Sequence, residues 1–468
     1  MNKVIAAAGL AVLSAASVQG QYDSTSVSGQ LTPLMSTKPW SLSASVRGFY
    51  DDNYLTLPKS YPLPGGGTGH AYGSWGTEVT PAAAVNHTDE NTMYSASYVY
   101  DMQWYDNGSN LINQTHLFNG AFAHQFTDRY KLSLTESFAI AQEPDVLTAQ
   151  SGPAAGVAAT PLRVSGSNVR NSGQINFTAE LTKLFDVHVG YGNTVYAYQQ
   201  IDRSVYGYPF TGAESRFTPE PSYSDLLDRM EQLATLDLRW KATPETTGIL
   251  GYQYGHTGYT SPGYIIYPSD GSYPSAPTTA AGGNPHGYHS NIRNDDSHFG
   301  FVGVDDSLTP ELNASLRVGA EYLDYYNYGT SRVSPYVDAS LTYQYLPGDS
   351  AQFGVKHVHN STDVVGYFGT TPVLDEESTA IYLSDSHRLT DRLTVTVLGQ
   401  AQVSTFVGGG SEFDGKSDNF FTLQVNFAYH INAWLLTEAG YNYSKLNSDL
   451  AFRSYTRDVM YLGFRAVY

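Results

Sequence analysis

Five residues between positions 286 and 298 are of types that could hold a metal ion. They are His286, His289, Asp295, Asp296 and His298, whose side chains offer the nitrogen and oxygen ligands that divalent metals use. Metal sites that can be recognised in a sequence have ligands at recurrent intervals, and these residues show no such spacing. They also fall in a predicted loop and at the edge of a strand. We therefore predict no metal site.

Two segments contain the residue types of a hydrolase site, His289-Ser290-Asn291 and the run from His357 to Ser361. An enzyme resembling the outer-membrane phospholipases would carry a His-x-Ser-Asn-Gly run on a strand, and this chain has none. The glycine-rich run 65–69 lacks the Lys-Ser/Thr pair and the following helix of a phosphate-binding loop. The sequence thus predicts no catalytic residue, no cofactor and no enzymatic activity.

Apolar and polar residues alternate through most of the chain after residue 40, in segments of about 11–15 residues. In the first segment Trp40, Leu42 and Val46 share one face, and Ser41 and Arg47 lie on the other. A dozen residues in a strand tilted by about 40° span roughly 30 Å, the thickness of the apolar core of a bilayer. The pattern predicts membrane-spanning strands with one lipid face and one water face.

Short and long connections alternate between these segments. The short ones fall at 86–90, 127–129, 182–185, 242–246, 305–310, 346–349, 389–392 and 430–433. The long ones fall at 54–74, 106–113, 142–167, 200–228, 259–292, 327–332, 361–376, 407–417 and 445–455. This order predicts an all-β fold, a transmembrane antiparallel up-and-down β-barrel of about 18 strands with short periplasmic turns and long extracellular loops. The alternative is a soluble sandwich or propeller, whose strands average about 5–6 residues.

The N-terminal residues have the order of a secretory signal. A positive charge at Lys3 precedes an apolar stretch from Val4 to Leu13, and small residues follow as far as Gly20. We predict a signal peptide over 1–20, a short periplasmic segment over 21–39 and the barrel over 40–468. The last strand ends in an aromatic residue, Tyr468, which is typical of the signal read by the barrel insertion machinery. The predicted location is the outer membrane of a Gram-negative bacterium, in contact with its lipid.

The composition agrees with a barrel and argues against one class of partner. The 468 residues include 38 Tyr and 44 Gly but no Cys. Tyr favours strands, and the absence of Cys leaves a secreted chain without disulfides, so that hydrogen-bonded architecture must supply its order. The formal net charge of −19 argues against binding nucleic acid, which needs a surface rich in Lys and Arg.

A barrel of about 16–18 strands is too wide for its own side chains to fill, so we expect a water-filled lumen. The predicted lumen-lining charges are Arg47, Glu78, Asp101, Lys131, Arg170, Glu180, Asp237, Arg239, Arg317, Glu321, Asp338, Lys356, Glu438 and Arg465. Charges of both signs would either select among solutes or pair between neighbouring strands and fix their register. Glu136 falls on the predicted lipid face, which requires a β-bulge in its strand or a position near a rim.

Tyrosines lie among prolines in the two longest predicted loops. They are Tyr206, Tyr208, Tyr223, Tyr259, Tyr264, Tyr267, Tyr273 and Tyr288. Their rings could stack on sugars, or they could pack one loop against another and narrow the pore.

The run Tyr50-Asp51-Asp52-Asn53 resembles the Tyr-Asp-Asp-Asn signature of the family named putative β-barrel porin 2. The Leu-Thr-Asp-Arg-Leu turn at 389–393, with a variant at 126–130, is also similar to that family, whereas the turns at 241–246 and 430–434 lack this form. The resemblance covers the arrangement of predicted strands and turns from residue 40 to residue 468. It implies an outer-membrane barrel described as a porin by its architecture, and for some relatives a place beside exopolysaccharide export systems. No functional residue carries over from the family.

The function predicted first is a porin-like channel for passive diffusion of small hydrophilic solutes. The alternative is the outer-membrane conduit of an exopolysaccharide export system, so the expected partners are small solutes or polysaccharide. An enzyme and a plugged structural or adhesive barrel are less favoured.

Overall fold

The structure, a computed structural model, describes residues 39–62, 67–107, 112–141, 168–198, 226–261, 264–266, 287–364, 367–368, 371–450 and 453–468. The predicted signal peptide and residues 21–38 lie outside this part of the chain, as do most of the tyrosine-rich segments at 200–228 and 259–292. No helix within the described ranges is long and apolar enough to cross a membrane.

Eighteen strands of 12 to 18 residues form one closed antiparallel barrel. In chain order they are β1 (Trp40–Asp51), β2 (Ser74–Thr88), β3 (Thr92–Tyr105), β4 (Ile112–Thr127), β5 (Tyr130–Ala141), β6 (Asn168–Glu180), β7 (Phe185–Tyr198), β8 (Arg229–Lys241), β9 (Thr246–Tyr259), β10 (Asp295–Thr309), β11 (Leu312–Tyr325), β12 (Thr330–Leu346), β13 (Asp349–Asn360), β14 (Thr371–Arg388), β15 (Leu393–Gly408), β16 (Ser417–His430), β17 (Leu435–Ser448) and β18 (Tyr455–Val467). Each strand pairs with the next, and β18 pairs with β1. The predicted 18-stranded barrel is confirmed.

The predicted alternation appears as an alternation of exposure in the barrel wall. On β1, Leu42 and Val46 are 50% and 54% exposed on the outside, whereas Arg47 is 1% exposed on the inside. Leu462 on β18 is 63% exposed. A closed sheet with a continuous apolar outer face has lipid as its physical partner. The sandwich alternative is therefore wrong, since the sheet closes on itself.

Eight short connections join strands at one end of the barrel, as predicted, and five of them are closed in the same way. The side-chain oxygens of Thr182, Thr243, Thr309 and Thr390 accept backbone N–H groups two and three residues later, at 2.9 to 3.3 Å. Asn432 does the same at 2.9 Å. Side-chain oxygens of this kind replace a backbone acceptor in tight turns. The turns containing Thr243 and Asn432 thus have the same geometry as the others, although their sequences lack the Leu-Thr-Asp-Arg-Leu form.

The connections at the other end are longer, with one exception. Four residues join Tyr325 to Thr330, and Gly329 closes this turn with φ +74° and an N–H bond of 2.7 Å to the Tyr325 carbonyl. The loop predicted at 327–332 is therefore too long at its far end, because β12 already begins at Thr330. The loop predicted at 361–376 is likewise too long at its C-terminal end, because β14 already starts at Thr371 and pairs with β15.

Small elements lie in the long connections. They are the paired strands Ser60–Pro62 and Thr68–His70, the paired strands Tyr264–Ile266 and Gly287–His289, the two-residue strand Tyr367–Phe368, a 3₁₀-helix (Ser290–Arg293) and an α-helix (Gly410–Phe413). Glu136 on β5 is exposed on the outer face and pairs in continuous register with Gly120 and Gly173. The bulge suggested for this position is therefore wrong, since the register shift of this strand lies near its start, at Gln125–Thr127 of β4.

Candidate functional site

Four of the predicted lumen residues form one buried ion-pair network at the seam where the barrel closes. Arg47 donates to Glu78 on β2 at 3.1 Å and, through two nitrogens, to Glu438 on β17 at 2.5 and 3.1 Å. Arg465 on β18 lies 2.8 Å from the other oxygen of Glu438. All four side chains are buried. Two positive and two negative charges balance, so this network fixes register rather than creating a net field.

Gly463 makes this network possible because it has no side chain. It is the cross-strand partner of both Arg47 and Glu438. A Cβ at this position would lie 2.5 Å from Cγ of Arg47 and 2.4 Å from the carbonyl oxygen of Val46. The Arg47 side chain therefore passes over Gly463 on β18 to reach Glu438.

On the far side of the barrel, charges alternate across neighbouring strands. Arg317 on β11 pairs with Asp338 on β12, which pairs in turn with Lys356 on β13. Arg317 also lies 3.4 Å from Asp305 on β10. These side chains are half-buried. Their opposite charges therefore stand at facing positions on neighbouring strands, within reach of water in the lumen.

The other seven predicted lining residues belong to neither of these two groups. They are Asp101, Lys131, Arg170, Glu180, Asp237, Arg239 and Glu321. Asp101 is buried and accepts a hydrogen bond of 2.7 Å from Thr80, and Glu180 lies 3.2 Å from Lys241. The Arg170 guanidinium lies 6.0 Å from the ring centre of Tyr196. Asp237 and Glu321 are buried, Arg239 is half-buried and Lys131 is exposed.

At the long-loop end β13 separates from β12, whereas β14 stays paired with β15 as far as Val373. Pairing between β12 and β13 stops at Val337 and His357, whereas β13 stays paired to β14 as far as Asn360 and Glu376. The backbone N–H of His359 donates to Glu321 on β11 at 3.2 Å. Residues 358–364 and 371–376, which we term the lumen hairpin, therefore bend inward across β12 to reach β11.

The lumen hairpin is anchored on β11 by polar and apolar contacts. A ring nitrogen of His359 lies 2.7 Å from Oδ2 of Asp375, and the Tyr325 hydroxyl donates to the same oxygen. Leu374 packs with Leu323 and Tyr325 in a buried cluster. Removal of this apolar surface from water stabilises the bent position.

Residues 361–364 of the lumen hairpin, which we term the crossing segment, are bound to two other parts of the barrel. The Ser361 hydroxyl donates to Glu231 on β8 at 3.3 Å. Arg453, just before β18, holds Asp363 through two hydrogen bonds of 2.5 and 2.8 Å. Arg453 also lies 2.7 Å from Asp418 on β16. The segment is therefore held between β8 on one side of β13 and the Arg453–Asp418 pair on the other.

Two buried arginines outside the strands brace the crossing segment. Arg293 donates to the carbonyl oxygens of Thr362, at 3.5 Å, and of Leu226. Burial lowers the pKa of Arg293, yet an arginine stays charged at physiological pH. Burial also opposes the charge of Arg453, but Asp363 and Asp418 outweigh it and raise the pKa of Arg453 above its ordinary value. The bracing charges are therefore permanent.

Sequence reasoning missed most of the residues that hold the crossing segment. Arg293, Asp363 and Arg453 lie in long connections, where alternation does not tell which way a side chain points. Asp375 falls inside the segment predicted as a loop. The three consecutive acids at 375–377 are the one sequence signal that could have drawn attention to this region.

A cavity of 360 Å³ lies beside the lumen hairpin. Carboxylates of Glu231, Asp295, Glu321 and Asp375 line it. Arg170, Arg229 and Lys356 add positive charges, and Arg229 is bound to Glu231 at 2.7 Å. The cavity thus combines both signs of charge with tyrosine rings such as Tyr259 and Tyr336.

The residues considered for metal binding and hydrolysis do not converge. Asp295 lines the cavity, whereas Asp296 is held 2.8 Å from His256 on neighbouring strands, and Tyr252 lies 2.7 Å from His298. His286 lies outside the described residues. Within the described ranges, no group of three His, Cys, Asp or Glu could hold a metal ion. His357 is bound to Thr379 and Glu377 rather than to a serine.

The closed sheet, its apolar outer face and its charged lumen define a porin-like barrel of the bacterial outer membrane. Residues 302–468 match the family model described as "Putative beta-barrel porin 2". The predicted resemblance is thereby confirmed over this range, which includes the turn at 389–393 but not the Tyr-Asp-Asp-Asn run at 50–53. No curated protein is significantly similar to the chain.

Solved structures of outer-membrane proteins share little sequence with this chain. The siderophore receptor PiuA from Acinetobacter baumannii is 10% identical, with a TM-score of 0.42 over 92% of this chain and 82% of its own. OccAB2 from Acinetobacter baumannii is 10% identical, with a TM-score of 0.39 over 92% of this chain and 98% of its own. OccK11 (OpdR) from Pseudomonas aeruginosa is 12% identical, with a TM-score of 0.37 over 92% and 96%. Similarity this low says nothing about which solute passes.

Proposed function

We propose that this protein is an outer-membrane channel through which small hydrophilic solutes diffuse passively. The observation that carries this proposal is the charged inner wall of a closed 18-stranded barrel, which leaves a 360 Å³ cavity beside the lumen hairpin. Barrels of this size are wide enough for water, and their lining charges interact with passing solutes. The crossing segment narrows the route, which suits small solutes.

Single-channel recording of the purified protein in a planar bilayer tests the proposal. We expect stable open steps with the wild-type chain. The variant Asp363→Asn, which weakens the Arg453 contact, serves as an internal comparison because it should conduct at least as well. Folded protein that gives no steps in either form would contradict a diffusion channel.

The second candidate is a conduit for exported polysaccharide. Tyrosine rings in the cavity wall, including Tyr196, Tyr259 and Tyr336, are surfaces on which sugar rings can stack. A polymer would have to displace the crossing segment. This candidate predicts a barrel that stays closed in a bilayer and a loss of polymer export when its gene is deleted.

We further propose that the barrel is not an enzyme and that its last strand guides assembly. Replacement of His289 or His357 should abolish no hydrolytic activity, because we expect none in the wild type.

Tyr468, at the end of the last strand, exchanges backbone hydrogen bonds of 2.8 and 3.0 Å with Leu42 on β1. Deletion of Tyr468 should lower the yield of inserted barrel, measured in outer-membrane fractions.

A further inference from the structure

The Asp375 carboxylate is anchored through one oxygen and, in the described part of the chain, lacks a donor at the other. Oδ2 is held by Tyr325 and His359. Oδ1 is buried and has no hydrogen-bond partner among the described residues, in a side chain that is 5% exposed and lines the cavity. A buried carboxylate oxygen without a donor costs free energy. A ligand in the cavity can supply that donor.

Further negative charge lies beside Asp375. His359 joins Asp375 to Glu321, because its ring contacts the first and its N–H bonds the second at 3.2 Å. Asp295 lines the same cavity. The cavity's arginines stand on β6 and β8, where Arg229 is bound to Glu231, and Lys356 lies three residues before His359 on β13. The wall formed by β10, β11 and the lumen hairpin therefore favours a cation.

The same wall offers apolar contacts. Phe299, Leu323, Tyr336 and Leu374 line the cavity together with the carboxylates. Its 360 Å³ falls within the range of about 300–1,000 Å³ found for small-molecule sites and is far larger than a bare metal ion needs. Aromatic faces also attract organic cations.

We propose that this cavity binds an organic ammonium ion with an apolar body, such as an aralkylammonium. The ammonium group donates to Oδ1 of Asp375 beside Glu321, and the body packs against Phe299, Leu323 and Tyr336. The site rests on the proposed function, since it names the class of solute that the channel retains as it passes.

Isothermal titration of the full chain in detergent with 2-phenylethylammonium tests this site. 2-Phenylethanol is the uncharged probe of matching shape. We expect the ammonium to bind and the alcohol to bind at least about ten-fold more weakly. Asp375→Asn should raise the Kd of the ammonium by about ten-fold or more, and Glu321→Gln should raise it in the same direction. Glu376→Gln is the matched control, because this neighbouring carboxylate bonds Ser404 on β15 and does not line the cavity.

Block of single-channel current by the same two probes separates this site from the proposed function. Binding by calorimetry without any conductance would refute the channel and leave the site standing. Open channels blocked equally by the ammonium and the alcohol would overturn the site and leave the channel. Unchanged affinity in Asp375→Asn and Glu321→Gln, with barrel folding verified by circular dichroism, would also overturn it.

Discussion

Glu438 lies between two arginines, Arg47 and Arg465, and none of these three residues is more than 4% exposed. Loss of one partner from such a buried group leaves charge without compensation, which costs about 3–5 kcal/mol. We therefore expect Glu438→Gln to lower the free energy of unfolding by that amount, measured by urea unfolding in micelles. Lys131→Gln, at an exposed position, should change it by no more than about 0.5 kcal/mol. Equal effects of the two substitutions would mean that the seam network is hydrated.

Gly463 provides a second prediction at the residue scale. A methyl group there would overlap Cγ of Arg47 and the carbonyl oxygen of Val46, so Gly463→Ala should destabilise the barrel by about 1–3 kcal/mol. Gly120→Ala is the control, since a Cβ at that position meets nothing within 4 Å. The same unfolding measurement compares the two, and a control that is destabilised as much as Gly463→Ala would refute the steric argument.

Asp52, in the connection after β1, makes stability depend on pH. Burial, followed by the nearby charges of Asp458 and Asp51, raises the pKa of Asp52. A raised pKa in the folded state favours the protonated form, so the stabilisation is present below the unfolded pKa and is lost as pH rises through the folded pKa.

Asp52→Asn should therefore stabilise the barrel at pH 7 and have little effect near pH 3. The gain should stay below about 1 kcal/mol, because solvent screens this partly exposed group. The asparagine keeps an oxygen for the 2.7 Å bond from the Asp458 N–H, so the hydrogen bond is matched between the variants. Urea unfolding at the two pH values measures the difference, and a larger gain at the acidic value would reverse the assigned sign.

At the scale of elements, the crossing segment depends on Arg453, which binds Asp363 and also lies 2.7 Å from Asp418. Replacement by glutamine leaves two buried carboxylates uncompensated. If about 3 kcal/mol of bracing is lost, the balance between the bound and released segment shifts roughly a hundred-fold. We expect Arg453→Gln to raise single-channel conductance and make it noisier. Asp449→Asn, an exposed change in the same connection, should leave the current unchanged.

Strand alternation predicted the barrel well because a residue in a paired strand has only two directions in which to point. Alternation predicts Arg47 and Glu438 on the inner face of their strands, and both side chains are buried. The inward bend of β13 was not predictable in this way, because His359 continues its strand after β13 has separated from β12. Contacts with Glu231 on β8 and with Arg453 before β18, both distant in sequence, hold that bend.

At the scale of the whole molecule, the proposed channel function predicts that unbalanced lumen charge selects among ions. Asp338 stands between Arg317 and Lys356 in the strand register, so Asp338→Asn raises the local lumen charge by one unit toward positive. We expect the reversal potential in a salt gradient to shift toward anion preference. The shift should be larger at 0.1 M than at 1 M salt, because the screening length falls from about 10 Å to about 3 Å. A shift toward cations would contradict this placement of the charges.

The departure of β13 from the wall has a consequence for β12. Over the residues before Val337, β12 pairs with β11 alone among the described residues. Pro335, which has no N–H to donate, lies in this part of the strand. Val333 is 70% exposed there. Backbone amides between 331 and 336 that point away from β11 should therefore exchange with deuterium oxide faster than those lower in the strand. Thermal unfolding of the barrel should therefore begin at this unpaired edge of β12.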